Sequence, residues 1–105
     1  MTTTVENRPE RSRYEIYVDG ELAGFTVYEP HGPRVALVHT EIDDRFAKHG
    51  VGSTLIRAAL DDVRSQGRSV LPYCPFVRAF IAEHPEYVDL IPQAMRREFK
   101  LPAAD

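Results

Sequence analysis

The chain has 105 residues, 43% hydrophobic and 28% charged, with a formal net charge of −3 and a single cysteine. That length holds one hydrophobic core, and the composition is that of an ordinary globular domain. The acidic balance argues against a general nucleic-acid binder. No run approaches the ~18 apolar residues that span a bilayer, so no membrane association is expected. One thiol forms no intramolecular disulfide, which points to a reducing, cytoplasmic setting.

Residues 1–12 mix Thr, Asn, Pro and charge without periodicity. They are expected to be a flexible leader and lack the apolar stretch of a signal peptide. The domain is expected over 13–101. Residues 13–19 alternate, with Tyr14, Ile16 and Val18 on one side and Glu15 and Tyr17 on the other. Asp19-Gly20 is a turn signal, and β-type residues resume over 22–28, so the pair reads as a hairpin. Pro30-His31-Gly32-Pro33 is expected as a loop. Residues 34–42 form a third strand, nearly continuous in apolar side chains from Val35 to Val38, as a central strand requires.

Residues 51–63 carry a wide apolar stripe at helical spacing and predict an amphipathic helix packed on the sheet. Gly67 follows as its C-terminal stop. Residues 70–73 are short and β-rich. After a helical crossover they most simply pair parallel to the third strand, incompletely on one side because Pro72 has no N–H. Pro75 suits the first turn of a second helix running to about Glu83 and ending near His84-Pro85. A last helix is expected over 93–100.

Three places carry chemistry. Gly50-Val51-Gly52-Ser53 sits where a strand passes into a helix. Helix starts leave unpaired N–H groups at the positive end of the macrodipole, and glycine lets the backbone approach a phosphate. Lys48 and His49 add charge or hydrogen bonds beside it. Neither the P-loop nor the three-glycine dinucleotide pattern is present. Cys74 sits at a strand end and a helix N-cap, where a thiol pKa can fall; a buried inert thiol is the plain alternative. His39 and Glu41, two apart on one strand, share a face and could take a proton from an amine or thiol. Ordinary strand packing for His39 and solvation for Glu41 remain the alternative. The histidines lack metal-site spacing, so no metal is expected.

Val38-His39-Thr40-Glu41-Ile42, Gly50-Val51-Gly52-Ser53, Cys74-Pro75-Phe76 and His84-Pro85-Glu86-Tyr87 together resemble the short, single-domain branch of the GNAT acetyltransferase superfamily. The resemblance implies an α/β fold: a mixed, mostly antiparallel sheet with a parallel, splayed strand pair and packed helices. It implies acetyl-CoA or CoA as cosubstrate. Backbone N–H groups of His49, Gly50, Val51, Gly52 and Ser53 would hold the pyrophosphate, and the backbone of Thr40 to Ile42 the pantetheine or thioester. Cys74 would lie near the acetyl group as a candidate acceptor, and His39 or Glu41 would serve as base. The acceptor would be an amine on a protein or small molecule, and the chain a monomer or weak homo-oligomer.

Three features depart from the family pattern. Ala47 stands where the superfamily usually has Arg or Gln. Cys74 and Ile81 stand where many members carry Asn and a proton-donating Tyr, leaving Tyr87 or water for that role. Asp19-Gly20 replaces two helices that shape the acceptor side in larger relatives. Two rivals to an acetyltransferase therefore stand: a non-catalytic acyl-CoA-binding module, and a thiol sensor centred on Cys74.

Overall fold

The computed structural model describes residues 2–99. A five-stranded sheet carries strands β1 (Thr3–Arg8), β2 (Arg13–Val18), β3 (Glu21–His31), β4 (Arg34–Ile42) and β5 (Ser69–Pro72) in that spatial order. The first four run antiparallel, and β4–β5 is parallel. Helix α1 (Val51–Ser65) is the crossover between the parallel pair, and α2 (Pro75–Glu83) follows β5.

The β1 strand corrects the flexible leader expected over 1–12. Thr3 to Arg8 pairs with Val18 to Arg13 along the whole edge of β2. Its side chains are half-buried or exposed, so backbone hydrogen bonds carry much of the pairing, helped by Val5 against the core, the Tyr28 hydroxyl donating to Asn7 and Arg8 beside Glu15. The β2–β3 turn is as expected. Asp19 (φ 51°) and Gly20 (φ 83°) both take positive φ, as the tight hairpin turn with matching twist requires. Strand β3 runs beyond Tyr28 to His31, so Pro30 lies in the ladder opposite Val35 and the loop shrinks to a turn at Gly32 and Pro33. Near a strand end, the missing N–H of Pro30 is tolerated.

Tyr14, Ile16, Val18, Val35 and Leu37 form the inner face of the sheet and are buried against Leu55, Ile56, Ala59, Leu60 and Val63 of α1 and Val77 and Ile81 of α2. The Tyr14 hydroxyl donates to Asp62 Oδ2 at 2.6 Å, fixing the helix across the sheet. Helix α1 ends as expected at Gly67. The Gly67 N–H donates to the Arg64 carbonyl and the Arg68 N–H to the Val63 carbonyl, a Schellman stop with Gly67 at φ 69°. Beyond α2, a 3-10 turn over Pro85–Leu90 buries Tyr87, Val88 and Leu90. The helix expected over 93–100 differs: Gln93–Met95 is one 3-10 turn, and Lys100 lies outside the described residues. No helix among the described residues is long and apolar enough to cross a membrane.

Candidate active site

The β4–β5 ladder stops after four pairs, at Leu37 and Pro72. Strand β4 continues to Ile42, paired there with β3. The Cys74 N–H closes the inner end by donating to the Leu37 carbonyl at 2.9 Å. Beyond that point the β4 edge has no strand partner among the described residues. The Asp43 N–H donates to the Ala23 carbonyl. Alternation along an antiparallel ladder then gives the backbone polar groups of Glu41 and His39 to β3 and turns those of Thr40 and Ile42 toward the gap.

Helix α1 begins at the outer end of this gap. A 3-10 turn over Asp44–His49, capped by the Asp43 carboxylate on the Arg45 N–H, delivers the chain to Gly50. Gly50 is the N-cap at φ 69° and offers no side chain to the helix. Thr54 is the first residue whose N–H reaches back, to the Gly50 carbonyl. The N–H groups of Val51, Gly52 and Ser53 thus lie in the first turn, where intrahelical partners run out. Lys48 and His49 are exposed beside them.

A cavity of about 160 Å³ joins these features, lined by Ile42, Ala47, Gly50, Gly52, Ser53 and Phe76. Phe76 is missing from the residues singled out by chemistry in the sequence. Its ring lies so close over Gly52 that a Cβ there would stand 2.5 Å from Phe76 Cζ. Gly52 therefore accommodates an aromatic wall. The signal in the sequence was Pro75, which starts α2 and fixes where the next residue projects.

The three catalytic candidates separate onto two faces. Cys74 is buried, and its Sγ donates to Thr40 Oγ1 at 3.3 Å. Thr40 in turn shares a 2.9 Å hydrogen bond with fully buried Thr26, whose hydroxyl reaches the His39 carbonyl. The side chains of His39 and Glu41 lie on the opposite, open face, with Nε2 and Oε1 3.7 Å apart, and the His39 ring leans on Phe25. Among the described residues no hydrogen bond or ion pair joins Cys74 to His39 or Glu41.

Tyr87 is not placed to donate a proton at the gap. Its hydroxyl donates to Asp61 Oδ1 at 2.8 Å and accepts from Arg57. Burial first, then the Asp61 hydrogen bond, pushes its pKa up. The surrounding motif is a clamp on α1: Arg57 contacts His84 Nδ1, and Arg64 is bidentate to Asp89 and donates to the Glu86 carbonyl. Ile81, at the place expected for a proton-donating Tyr, is fully buried.

A sheet that parts between parallel strands, with a bare helix start at the mouth of the gap, defines an acyltransferase of the N-acetyltransferase type. Residues 13–90 match the model of the GCN5-related N-acetyl-transferases. The chain belongs to that family. Protein NATD1 of Mus musculus is 27% identical over 95 residues, covering 89% of this chain and 82% of the relative. Protein NATD1 of Bos taurus is 28% identical over 95 residues, covering 89% and 80%. Among solved structures, a GCN5-like protein of Staphylococcus aureus superposes with a TM-score of 0.66 at 16% identity, over 85% of this chain and 87% of that one, a likeness of fold. Ard1 of Thermoplasma volcanium is 33% identical with a TM-score of 0.51 over 56% of this chain. The match spans only 41% of the Ard1 chain.

Proposed function

We propose that this chain transfers acetyl from acetyl-CoA to a primary amine by direct attack, with the cofactor lying in the gap between β4 and β5. The observation that carries this reading is the early end of the β4–β5 ladder beside the uncapped start of α1. The first-turn amides of Val51, Gly52 and Ser53, with Lys48 and His49 next to them, suit a pyrophosphate. The outward backbone groups of Thr40 and Ile42 suit the amides of pantetheine, as a strand edge pairs with an extended chain.

In the proposed reaction the amine lone pair forms the N–C bond at the thioester carbonyl, and the C–S bond then breaks. The amine proton passes to Glu41 or to neutral His39 on the open face. The sulfur leaves as a thiolate. An ordinary thiol has a pKa of ~8.5, so this departure does not demand a dedicated acid. That fits a site where Ile81 is apolar and Tyr87 is engaged elsewhere.

Transfer through an acetyl-Cys74 intermediate is the second reading, motivated by the position of Cys74 at the inner end of the gap. Against it, the thiol donates its hydrogen bond to Thr40, and among the described residues no carboxylate or imidazole is hydrogen-bonded to it. Thermal unfolding with acetyl-CoA, CoA, ATP and NAD in parallel tests the cofactor, because a ligand bound only by the native state raises the midpoint. Stabilisation by the CoA species alone is expected. No shift with either CoA species would overturn the proposal and favour the thiol-sensor reading. Binding of CoA with no transfer across a broad amine panel would leave a non-catalytic acyl-CoA module.

A further inference from the structure

The 3-10 turn over Asp44–His49 carries the chain from β4 to the mouth of the gap, and it buries none of its residues. Ala47, Lys48, His49 and Gly50 are all exposed. Burial therefore does little to set the direction in which α1 starts. The turn is held at its beginning instead. The Asp43 N–H donates to the Ala23 carbonyl at 2.8 Å, and the Phe46 N–H donates to the Asp43 carbonyl at 2.9 Å. The half-buried Phe46 ring packs against the core.

Arg45 sits at the centre of that anchor. Its guanidinium is bidentate to the Asp43 carboxylate, with Nε donating to Oδ1 at 3.2 Å and Nη2 to Oδ2 at 3.1 Å. Its backbone N–H donates to the same Oδ1 at 2.9 Å. Nη2 also pairs with Oε2 of Glu21, the first residue of β3. The guanidinium carbon lies 5.2 Å from the centre of the Phe46 ring. One side chain thus joins the start of β3, the residue that follows β4 and the turn leading to α1. A planar guanidinium fork fixes direction as well as distance, which an ammonium does not. All three charged groups are solvent-accessible, so the bridge adds little to global stability.

We infer that Arg45 is a positioning residue for the cofactor site: by bridging Glu21 and Asp43 it sets the angle at which the turn delivers Gly50 and the first turn of α1. The inference rests on the acetyl-transfer reading above. Arg45 acts through Asp43 and the turn and touches no reacting atom. In the free chain the bridge keeps the N–H groups of Val51, Gly52 and Ser53 in one orientation, so less ordering is left to be done when the cofactor arrives.

The test uses the full chain with CoA as probe, its affinity read by titration calorimetry. Arg45→Gln should weaken CoA about fivefold, the upper range for an exposed ion pair, because two carboxylates are released at once. Glu21→Ala should weaken it about threefold, and the sign of that change is decisive. If Arg45 served only as a positive charge near an anionic ligand, removing Glu21 would leave the mouth more positive and tighten CoA. Arg45→Lys keeps the charge and loses the fork, so it should bind CoA less tightly than the parent and more tightly than Arg45→Gln. In the ligand-free chain, Glu21→Ala should also shift the amide NMR signals of residues 44–53, remote from it in sequence. Tighter CoA binding in Glu21→Ala, parental affinity in Arg45→Lys, or NMR shifts either confined to the neighbours of residue 21 or spread over the whole sheet would overturn the positioning role alone. Failure of CoA to bind the parent would overturn the acetyl-transfer reading and this inference with it.

Discussion

Replacing Gly52 with Ala sets two calculable effects against each other. Gly52 has an ordinary helical backbone, so Ala should stabilise α1 by up to ~1 kcal/mol. The new Cβ, however, would stand 2.5 Å from Phe76 Cζ, with the two flanking ring carbons at 3.3 and 3.4 Å. The ring must give way by about 1 Å to restore ordinary contact. A fully buried Phe is worth ~1.5–3 kcal/mol, and Phe76 is 43% exposed, so ~1 kcal/mol of packing is at stake. The two terms nearly cancel, and the unfolding midpoint should stay within about 2 °C of the parent. Ligand binding should not be spared, because Gly52 and Phe76 line the same cavity. CoA affinity should fall at least about tenfold, or ~1.4 kcal/mol. Thermal unfolding with and without CoA reads both effects. With Phe76→Ala as background the clash disappears, and Gly52→Ala should then raise the midpoint by ~4–8 °C, a coupling that a double-mutant cycle reports. A full rise in the parent background with unchanged CoA affinity would refute the role given to Phe76.

Four further outcomes are expected. Cys74→Ser keeps a donor for Thr40, so CoA binding and turnover should persist within a few-fold; a loss of 100-fold or more, with acetyl recovered on native Cys74, would establish the two-step route. Joint replacement Glu41→Gln and His39→Gln removes the general base and should lower kcat by ~10²–10⁴ at unchanged CoA affinity, and unaltered turnover would exclude both groups. Burial alone would raise the Glu15 pKa, but hydrogen bonds from Tyr17, Arg13 and Arg11 outweigh it and hold it at about 2. That depression supplies ~3 kcal/mol of stability above pH 5, lost as pH falls from the ordinary carboxylate pKa through 2. The gap between the parent and Glu15→Gln in denaturant midpoints should therefore shrink from pH 7 to pH 3, and a constant gap would contradict the cluster. Tyr87→Phe should cost ~1 kcal/mol through its lost Asp61 hydrogen bond with turnover intact; lost turnover at an unchanged midpoint would restore Tyr87 as a proton donor.

Much of the architecture is visible in side-chain pattern, and what is missing has no such pattern. Val51, Leu55, Ile56, Ala59, Leu60 and Val63 repeat at helical spacing and are all buried, so α1 and the parallel pair it links could be read directly. Strand β1 could not: Thr3 to Arg8 buries no side chain fully, and much of its order comes from backbone pairing. At the site, the division of His39 and Glu41 from Thr40 and Ile42 follows from strand alternation. The link between Cys74 and Thr40 depends instead on where α2 departs from β5, a tertiary fact no local motif encodes. The His84–Tyr87 motif looked chemical and proves to grip α1 through Arg57, Asp61 and Arg64.

Sheets usually end in an outer strand that the fold must guard against adhesive pairing with other chains. Here an unmatched stretch lies inside the sheet, past Leu37, between β4 and the start of α1. In the proposed reading the protein keeps its sheet one strand short there, and the pantetheine arm supplies the missing one from solution. A ligand that lies down there adds hydrogen bonds as well as occupancy. It should slow amide exchange at Thr40 and Ile42 first, ahead of any tightening elsewhere in the fold.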